Sequence, residues 1–514
     1  MTADTIAATP AAPTTNGLKP SKPLGSESKP APTDEQNTHN VTDSSVLHRN
    51  LKVVLPIVTH ARGSYLYTSS GQRILDGSGG AAVVSVGHGV PEIISAVSSQ
   101  ISTLPYVSSA LFAIQPAEEL ARRMCRDSGM ERAVFLSGGS EAVESAIKLA
   151  RQYHVERGER QRTEFIAREA SYHGNTLGAL SLGRHMARRE FNEPLLSAHF
   201  HAVSPCNSYR HQSPSETEAA YVARLATELE EKILSLGPDR VAAFFAEPVV
   251  GAAAGCVPFV PGYLCAMKRV CEKYGVLFCL DEIMCGAGRT GKLHAWMNDL
   301  APSSLPERLG GEGEESEDAE GEGWGEEARP DIQTLGKGLC GGYAPLSAVL
   351  VSRKVCEGLE GGSGAFRNGY TFQSSGTGVA AGLAVYEYME KHDLEYALTS
   401  RVRQCARRGQ YLRRLLEERV SPLPHVGNVR GLGLFQGIEF VADKESKAPF
   451  APGEHVADKV ANAILEHGAA VYHGAATRIT GDHIMLCPPY TVSEAEIDEL
   501  VDAVVKGIQE VFPQ

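Results

Sequence analysis

Lys337 stands in "DIQTLGKGLCGGYAPLSAVLVS", residues 331–352, among Gly336, Gly338, Gly341 and Gly342 and between two apolar segments. Lysine is rarely buried, and glycine loses more backbone freedom on folding than any other residue, so the combination implies a use. A lysine that is desolvated or set beside another cation has a lowered pKa and attacks carbonyl groups. The glycines would give a bulky planar ligand room to approach the backbone.

Two further stretches offer complementary chemistry. "FCLDEIMCGAGRTG" puts Asp281 and Glu282 at the end of a short apolar run. In an open parallel sheet, that carboxyl end is where ligands bind. An isolated Asp-Glu pair is more often a cap or an ion pair, but a carboxylate there also suits a protonated ring nitrogen. "LSGGSEAVESAIKLAR" sets Gly138, Gly139 and Ser140 between a strand and a helix, where backbone N–H groups at the helix start suit a phosphate. Alone this is a weak signal, because neither P-loop nor G-x-G-x-x-G spacing is present. Together, a phosphate cradle, an acid for a pyridinium and a lysine for an aldehyde match the three handles of pyridoxal phosphate. Lys337 would then hold that cofactor as a Schiff base.

The elements that must position these residues follow from apolar spacing. "RVAAFFAEPVV" and "GVLFCLDEIM" are short, nearly continuous apolar runs, as in strands covered on both faces, and "YLCAMKRVCEKY" between them has helical spacing. Strands alternating with helices imply a mostly parallel sheet sandwiched by helices. "GSYLYTSSGQRILDGSGG" reads as two strands around a Ser-Gly turn. The expected organisation is a disordered Thr/Ala/Pro/Ser-rich tail over 1–46 and an N-terminal part of a small domain over 47–95. A large cofactor-binding domain over 96–369 and a C-terminal α+β small domain over 370–514 would follow.

Composition excludes several function classes. No apolar run is long enough to cross a bilayer. The 11 cysteines include no C-x-x-C pair, which argues against a zinc cluster or disulfide framework and for a reducing compartment. Of the net charge of −13, a surplus of eight acids lies between Glu307 and Arg329, inside a Gly/Glu-rich segment, 301–330, that reads as a solvated insertion loop. The remainder is near neutral and calls for neither nucleic acid nor an acidic membrane. Arginine is missing before Arg49 and there is no apolar signal core, so the expected location is the cytoplasm.

The ordered set "LSGGSEAVESAIKLAR", "SYHGNT", "AEPVVG", "LDEIMCGAGRTG", "PDIQTLGKGLCGGYAPL", "NGYTFQ", "VRGLGLFQGIEF" and "GDHIMLCPPY" resembles the class III, subgroup II, pyridoxal-phosphate-dependent aminotransferases across residues 50–512. That resemblance implies an α/β fold-type I transferase, with a mostly parallel seven-stranded sheet in the large domain, acting as a homodimer or a tetramer built from it. It implies that Lys337 carries the cofactor and moves the substrate proton, and that Asp281 pairs with the pyridine nitrogen. Gly138, Gly139 and Ser140 would bind the phosphate, with Thr371 reaching it from the neighbouring subunit. Tyr172 and Ile283 would cover the two ring faces, and Glu247 would support the cofactor side. Arg289 is expected to form a structural ion pair, and Arg430 is also expected to be structural.

Substrate choice is less legible. Ala252 replaces the second glutamate of "EP-x-x-G-E", so the arginine gate of ornithine and 4-aminobutyrate relatives is expected to be absent. "TRITGDH" resembles the stretch of amine–pyruvate transaminases that carries a mobile arginine, and Arg478 fits that position as a carboxylate clamp. Ala81 and Ala82 match pocket positions that are often bulkier. Asn368 and Gly376 depart from the histidine and proline common around the Thr371 loop. The expected reaction moves an amino group from an amine or amino acid to a 2-oxo acid such as pyruvate or 2-oxoglutarate (EC 2.6.1). The alternatives on the same fold are a decarboxylase, racemase or lyase.

Overall fold

Every residue of Val241–Ala246 and of Leu277–Glu282 is buried, because each strand is covered on both faces. Phe244, Phe278 and Leu280 pack to one side with the helices Glu218–Leu236 and Tyr263–Lys273. Phe245 and Cys279, one residue on, pack to the other side with Val143, Ile147 and Tyr153. The twofold alternation of strand side chains thus feeds two separate cores from one sheet.

The computed structural model describes residues 44–299, 326–392, 400–475 and 480–513. The expected tail and most of the acidic insertion lie outside them. The chain divides into two compact units, Met1–Pro56 and Ile57–Gln514. The described part of the first, 44–56, forms no helix or strand.

In the second unit the large sheet has seven strands. They are β1 (Arg132–Leu136), β2 (Glu164–Arg168), β3 (Phe200–Val203), β4 (Val241–Ala246), β5 (Leu277–Glu282), β6 (Ile332–Leu335) and β7 (Ser347–Val351). Their spatial order is β1-β7-β6-β5-β4-β2-β3. Only β7 runs against the others, pairing antiparallel with both β6 and β1. The long helices are α1 (Pro91–Thr103), α2 (Gln115–Ser128), α3 (Gly139–Glu156), α4 (Glu218–Leu236), α5 (Tyr263–Lys273), α6 (Gly376–Lys391), α7 (Ser400–Arg419), α8 (Val456–Glu466) and α9 (Glu494–Val511). This is the mixed α/β sheet the sequence led us to expect.

A four-stranded antiparallel sheet, built from Val426–Leu432, Phe435–Phe440, His483–Leu486 and Tyr472–Gly474, lies against α7, α8 and α9. Strands Tyr65–Thr68 and Arg73–Asp76 form the anticipated hairpin, and Arg73–Asp76 also pairs in parallel with Ala469–Ala470. Ten of the 11 cysteines are buried as free thiols. No described helix is long and apolar enough to cross a membrane.

Candidate active site

The parallel strands deliver their chemistry at one edge. Lys337 follows β6 by two residues, Glu247 follows β4 directly, Tyr172 and His173 follow β2, and α3 opens with Gly139 and Ser140 after β1. Asp281 is the penultimate residue of β5, in parallel register with Thr334 of β6. These groups, with Gly174, Ala252, Ile283 and Met284, line one cavity of about 180 Å³.

Asp281 is held from three directions. Its Oδ1 accepts the Ile283 N–H at 3.0 Å and the Thr334 hydroxyl at 3.1 Å, while Oδ2 meets His173 Nδ1 at 2.8 Å. A carboxylate offers about four acceptor positions, so three are used and one on Oδ2 is left for a ligand N–H. His173 is 2% exposed. Its Nε2 has no hydrogen-bond partner among the described residues, so Nδ1 is the nitrogen positioned to donate. His173 and Thr334 were not singled out from the sequence, although each lies inside a quoted motif ("SYHGNT" and "PDIQTLGK").

Lys337 has φ +44°, in the left-handed region that side-chain-bearing residues seldom occupy. Burial lowers its pKa from the ordinary lysine value, opposed by the negative charges of Asp281 and Glu247. The result is a larger neutral, nucleophilic fraction near pH 7. Glu247 accepts the N–H of Tyr172 and of Gly251, each at 3.0 Å, and so fixes the backbone beneath the Tyr172 ring. Burial raises the Glu247 pKa.

The start of α3 forms a cradle without side chains. Glu141 takes the N–H groups of Ser137 and Gly138 at 3.0 and 3.2 Å. The next N–H groups, of Gly139 and Ser140, have no acceptor within the first helical turn. A Cβ on Gly139 would stand 2.8 Å from Ile283 Cγ2, and one on Gly174 would stand 2.6 Å from Ser140 Oγ. Ser140 Oγ accepts the Asn175 N–H at 2.9 Å, which leaves its proton to donate elsewhere. A flat ring against Ile283 with a phosphate at α3 therefore fits the residues present, and Asp281 retains one acceptor position for the ring N–H.

Other expected site residues fall elsewhere. Gly138 caps α3, its carbonyl taking the Ser347 hydroxyl at 2.8 Å, and does not line the cavity. Ala82 is buried in a core with Phe435, Met485 and Cys487, while Ala81 is half-buried; neither lines the cavity. Thr371 is exposed, its carbonyl accepting the Tyr106 hydroxyl at 3.0 Å. Arg478 lies outside the described residues. Glu282 binds the N–H groups of Ala295 and Trp296 at 2.7 and 2.8 Å and tethers the chain beyond β5. Arg289 makes no ion pair to a described residue. Its guanidinium donates to the carbonyls of Val84, Leu434, Cys487 and Pro488 and lies over the Tyr490 ring, so its structural role is met by carbonyls instead of a carboxylate. Arg430 pairs with the buried Glu439 and donates to Gly255 O at 2.9 Å, a structural role as expected.

The family model for "Aminotransferase class-III" matches residues 46–303 and 319–508. The chain belongs to the class-III aminotransferases. An uncharacterised aminotransferase of Schizosaccharomyces pombe is 43% identical over 458 residues, which is 88% of this chain and 92% of that protein. A thermostable (S)-enantioselective omega-transaminase from Thermomicrobium roseum has 31% identity and a TM-score of 0.79, covering 92% of this chain and 97% of that one. An omega transaminase of Pseudomonas jessenii, solved in complex with PMP, has 28% identity and a TM-score of 0.79, again over 92% and 97%. The break in the family match, 304–318, falls within the acidic segment 301–330. In this aminotransferase the half-buried Lys337 and buried Asp281 stand at the carboxyl ends of adjacent strands β6 and β5.

Proposed function

We propose that the cavity binds pyridoxal phosphate through Lys337, Asp281 and the start of α3. The enzyme would move an amino group from an amine or amino acid to a 2-oxo acid such as pyruvate or 2-oxoglutarate. The observation that carries this is the convergence of the three handles on one cavity, with a single acceptor position left on Asp281. Pyridoxal phosphate, when bound, supplies an aldehyde that takes up the amino group and a protonated ring that withdraws electrons from the reacting carbon.

The chain's residues do the rest. Asp281 Oδ2 would hold the ring N–H and keep it protonated, with His173 fixing the direction of that oxygen. Ile283 and Tyr172 would confine the ring and so select which substrate bond is exposed to reaction. Lys337 Nζ, as a neutral amine, would take the proton from the substrate Cα and, as an ammonium, would return it on the cofactor side of the transferred nitrogen. Ser140 and the N–H groups at the helix start anchor the phosphate without adding bulk.

A homodimer with shared sites completes this reading. Leu104, Tyr106, Leu111, Phe112 and Phe372 are all exposed, and the Tyr106 ring meets Phe372 edge-on at 5.9 Å beside Thr371. An apolar surface of this kind suits a second copy. The free thiols suit a reducing compartment such as the cytoplasm.

The test is the visible spectrum of the cofactor-loaded protein while alanine, β-alanine, 4-aminobutyrate and an aryl-alkyl amine are added singly. A shift to the aminated-cofactor band, reversed by pyruvate or 2-oxoglutarate, is expected. Borohydride reduction and peptide mapping should label Lys337. Cofactor attached to another lysine, or no label, would sink the site assignment. Release of carbon dioxide, an enantiomer or inorganic phosphate in place of the reversible shift would favour the decarboxylase, racemase or lyase chemistry.

A further inference from the structure

Lys337 stands in a turn that does not hold itself. Its φ of +44° is one that a side-chain-bearing residue leaves readily, and Gly336 and Gly338 on either side offer little resistance to rotation. The hydrogen bonds inside the turn lengthen along it. The Leu339 N–H reaches the Gly336 carbonyl at 2.9 Å, the Gly341 N–H that of Gly338 at 3.3 Å, and the Cys340 N–H that of Lys337 at 3.4 Å. Cys340 Sγ lies 3.8 Å from the Lys337 carbonyl but 2.6 Å from that of Ala344, so its thiol serves the latter.

A clamp comes from elsewhere in the chain. Residues 77–90 join the hairpin strand Arg73–Asp76 to α1 and lie against this turn. Within them Ser85, 0% exposed, donates its hydroxyl to the Gly338 carbonyl at 2.8 Å. Ser85 is itself braced. Its carbonyl takes the Tyr490 N–H at 2.7 Å, and the neighbouring Val84 carbonyl takes the Arg289 guanidinium at 3.2 Å. Tyr490 donates its hydroxyl to the Ala287 carbonyl at 2.9 Å and carries Arg289 over its ring. The fit is close: a Cβ on Gly338 would stand 3.3 Å from Tyr490 Oη and 3.6 Å from Ser85 Cβ. A second pin lies further along, where the Tyr343 hydroxyl accepts the Val90 N–H and donates to the Gly87 carbonyl, both at 2.8 Å.

We infer that Ser85 is the positioning residue of Lys337: by holding the Gly338 carbonyl it keeps the lysine backbone left-handed and so aims Nζ at the two atoms between which it carries a proton. This rests on the reading of Lys337 as the cofactor-bearing base. A proton carrier must reach both atoms from one anchor, and a displacement of about 1 Å at that anchor can cost about 100-fold in rate. Strained backbone persists where surrounding contacts over-determine it, and Ser85 supplies the contact that the glycines cannot. The carbonyls held by Arg289 then have a use beyond packing, since they brace the residue that braces the lysine.

The experiment compares wild type with Ser85→Ala, Ser85→Cys, Ser85→Thr and Tyr343→Phe. In the cofactor-loaded enzymes, single-turnover absorbance is followed with alanine, or whichever donor reacts, and with the same donor deuterated at Cα. Ser85→Ala should lower the limiting rate about tenfold, the worth of one hydrogen bond, and raise the deuterium effect, while half-saturation changes by less than about twofold. Ser85→Cys, a weaker donor of similar size, should show the same changes in smaller measure, and it is read against the same outcomes if the alanine variant does not fold. Ser85→Thr keeps the hydroxyl and should recover most of the rate. Tyr343→Phe loses the second pin and should lower Tm, with the deuterium effect as in wild type. In the cofactor-free proteins, the pH dependence of Lys337 acetylation by acetic anhydride is read by peptide mapping. Its midpoint, held below 10.5 by burial in wild type, should move towards 10.5 in Ser85→Ala and stay in place in Tyr343→Phe. An unchanged deuterium effect and midpoint in the Ser85 variants overturn the proposal while leaving transamination standing. Equal changes in Tyr343→Phe also overturn it, since they would mark a general loss of packing. A wild type whose Lys337 carries no cofactor overturns the underlying reading as well.

Discussion

His173→Phe would leave Asp281 with donors on Oδ1 alone, since His173 Nδ1 is the sole described side-chain partner of Oδ2, at 2.8 Å. We expect kcat to fall about 10- to 100-fold, the cost of a lost hydrogen bond to a charged group. His173→Asn places an amide N–H near the same point and should recover much of the rate, which a purely space-filling role would not allow. Lys337 gives a prediction with a definite sign. Its pKa in the folded protein is lowered, while the unfolded chain keeps the ordinary value of 10.5. Between those two values the unfolded chain holds a proton that the folded one lacks, so the cofactor-free protein gains stability as pH rises through that window. Lys337→Met should raise the Tm of the cofactor-free protein at pH 7, with the gain shrinking towards pH 10.5. Lys337 and Asp281 were legible because their residue types announce their chemistry. His173 and Thr334 were not, since a histidine or threonine does not declare a partner 108 or 53 residues away. Arg289 was legible as structural, but the sequence suggested a carboxylate partner where the fold supplies carbonyls.

At the scale of elements, the turn that follows strand β5 meets the start of helix α3 at one glycine. Gly139→Ala would drive its Cβ to 2.8 Å from Ile283 Cγ2, and Ile283 in turn lies 3.3 Å from the Cβ position of Gly336, beside Lys337. We expect this substitution to weaken cofactor affinity by at least about tenfold, measured by equilibrium dialysis. Its cost in stability should stay within about 1–3 kcal/mol, as for other overpacked positions. The strands themselves could be read from the sequence because both faces are buried and the apolar runs are nearly continuous. The direction of β7 could not. Its residues, Ser347–Val351, are as apolar as those of the parallel strands of the sheet, and only pairing reveals that it runs the other way. The alanines at 81 and 82 illustrate the same limit. Small residues suit an open pocket or a tight core, and Ala82 belongs to a core.

At the scale of the molecule, the exposed apolar residues near Thr371 bear on assembly. Phe112 is 62% exposed. If the proposed second copy covers it, Phe112→Glu should convert a dimer to a monomer in sedimentation and lower cofactor occupancy with it. A monomeric wild type would refute that arrangement. The strand order also fixes when the site can exist. β1, which leads into the phosphate cradle, has β7 as its single neighbour in the sheet, and β7 begins more than two hundred residues after β1 ends. Until that last strand slots between β1 and β6, the groups for the phosphate and for the aldehyde are not joined in one sheet. Contacts so distant along the chain close late and slowly. A ribosome-bound chain that has not yet exposed residue 351 would therefore be blind to its cofactor, and the uptake of pyridoxal phosphate becomes a timestamp for the completion of synthesis.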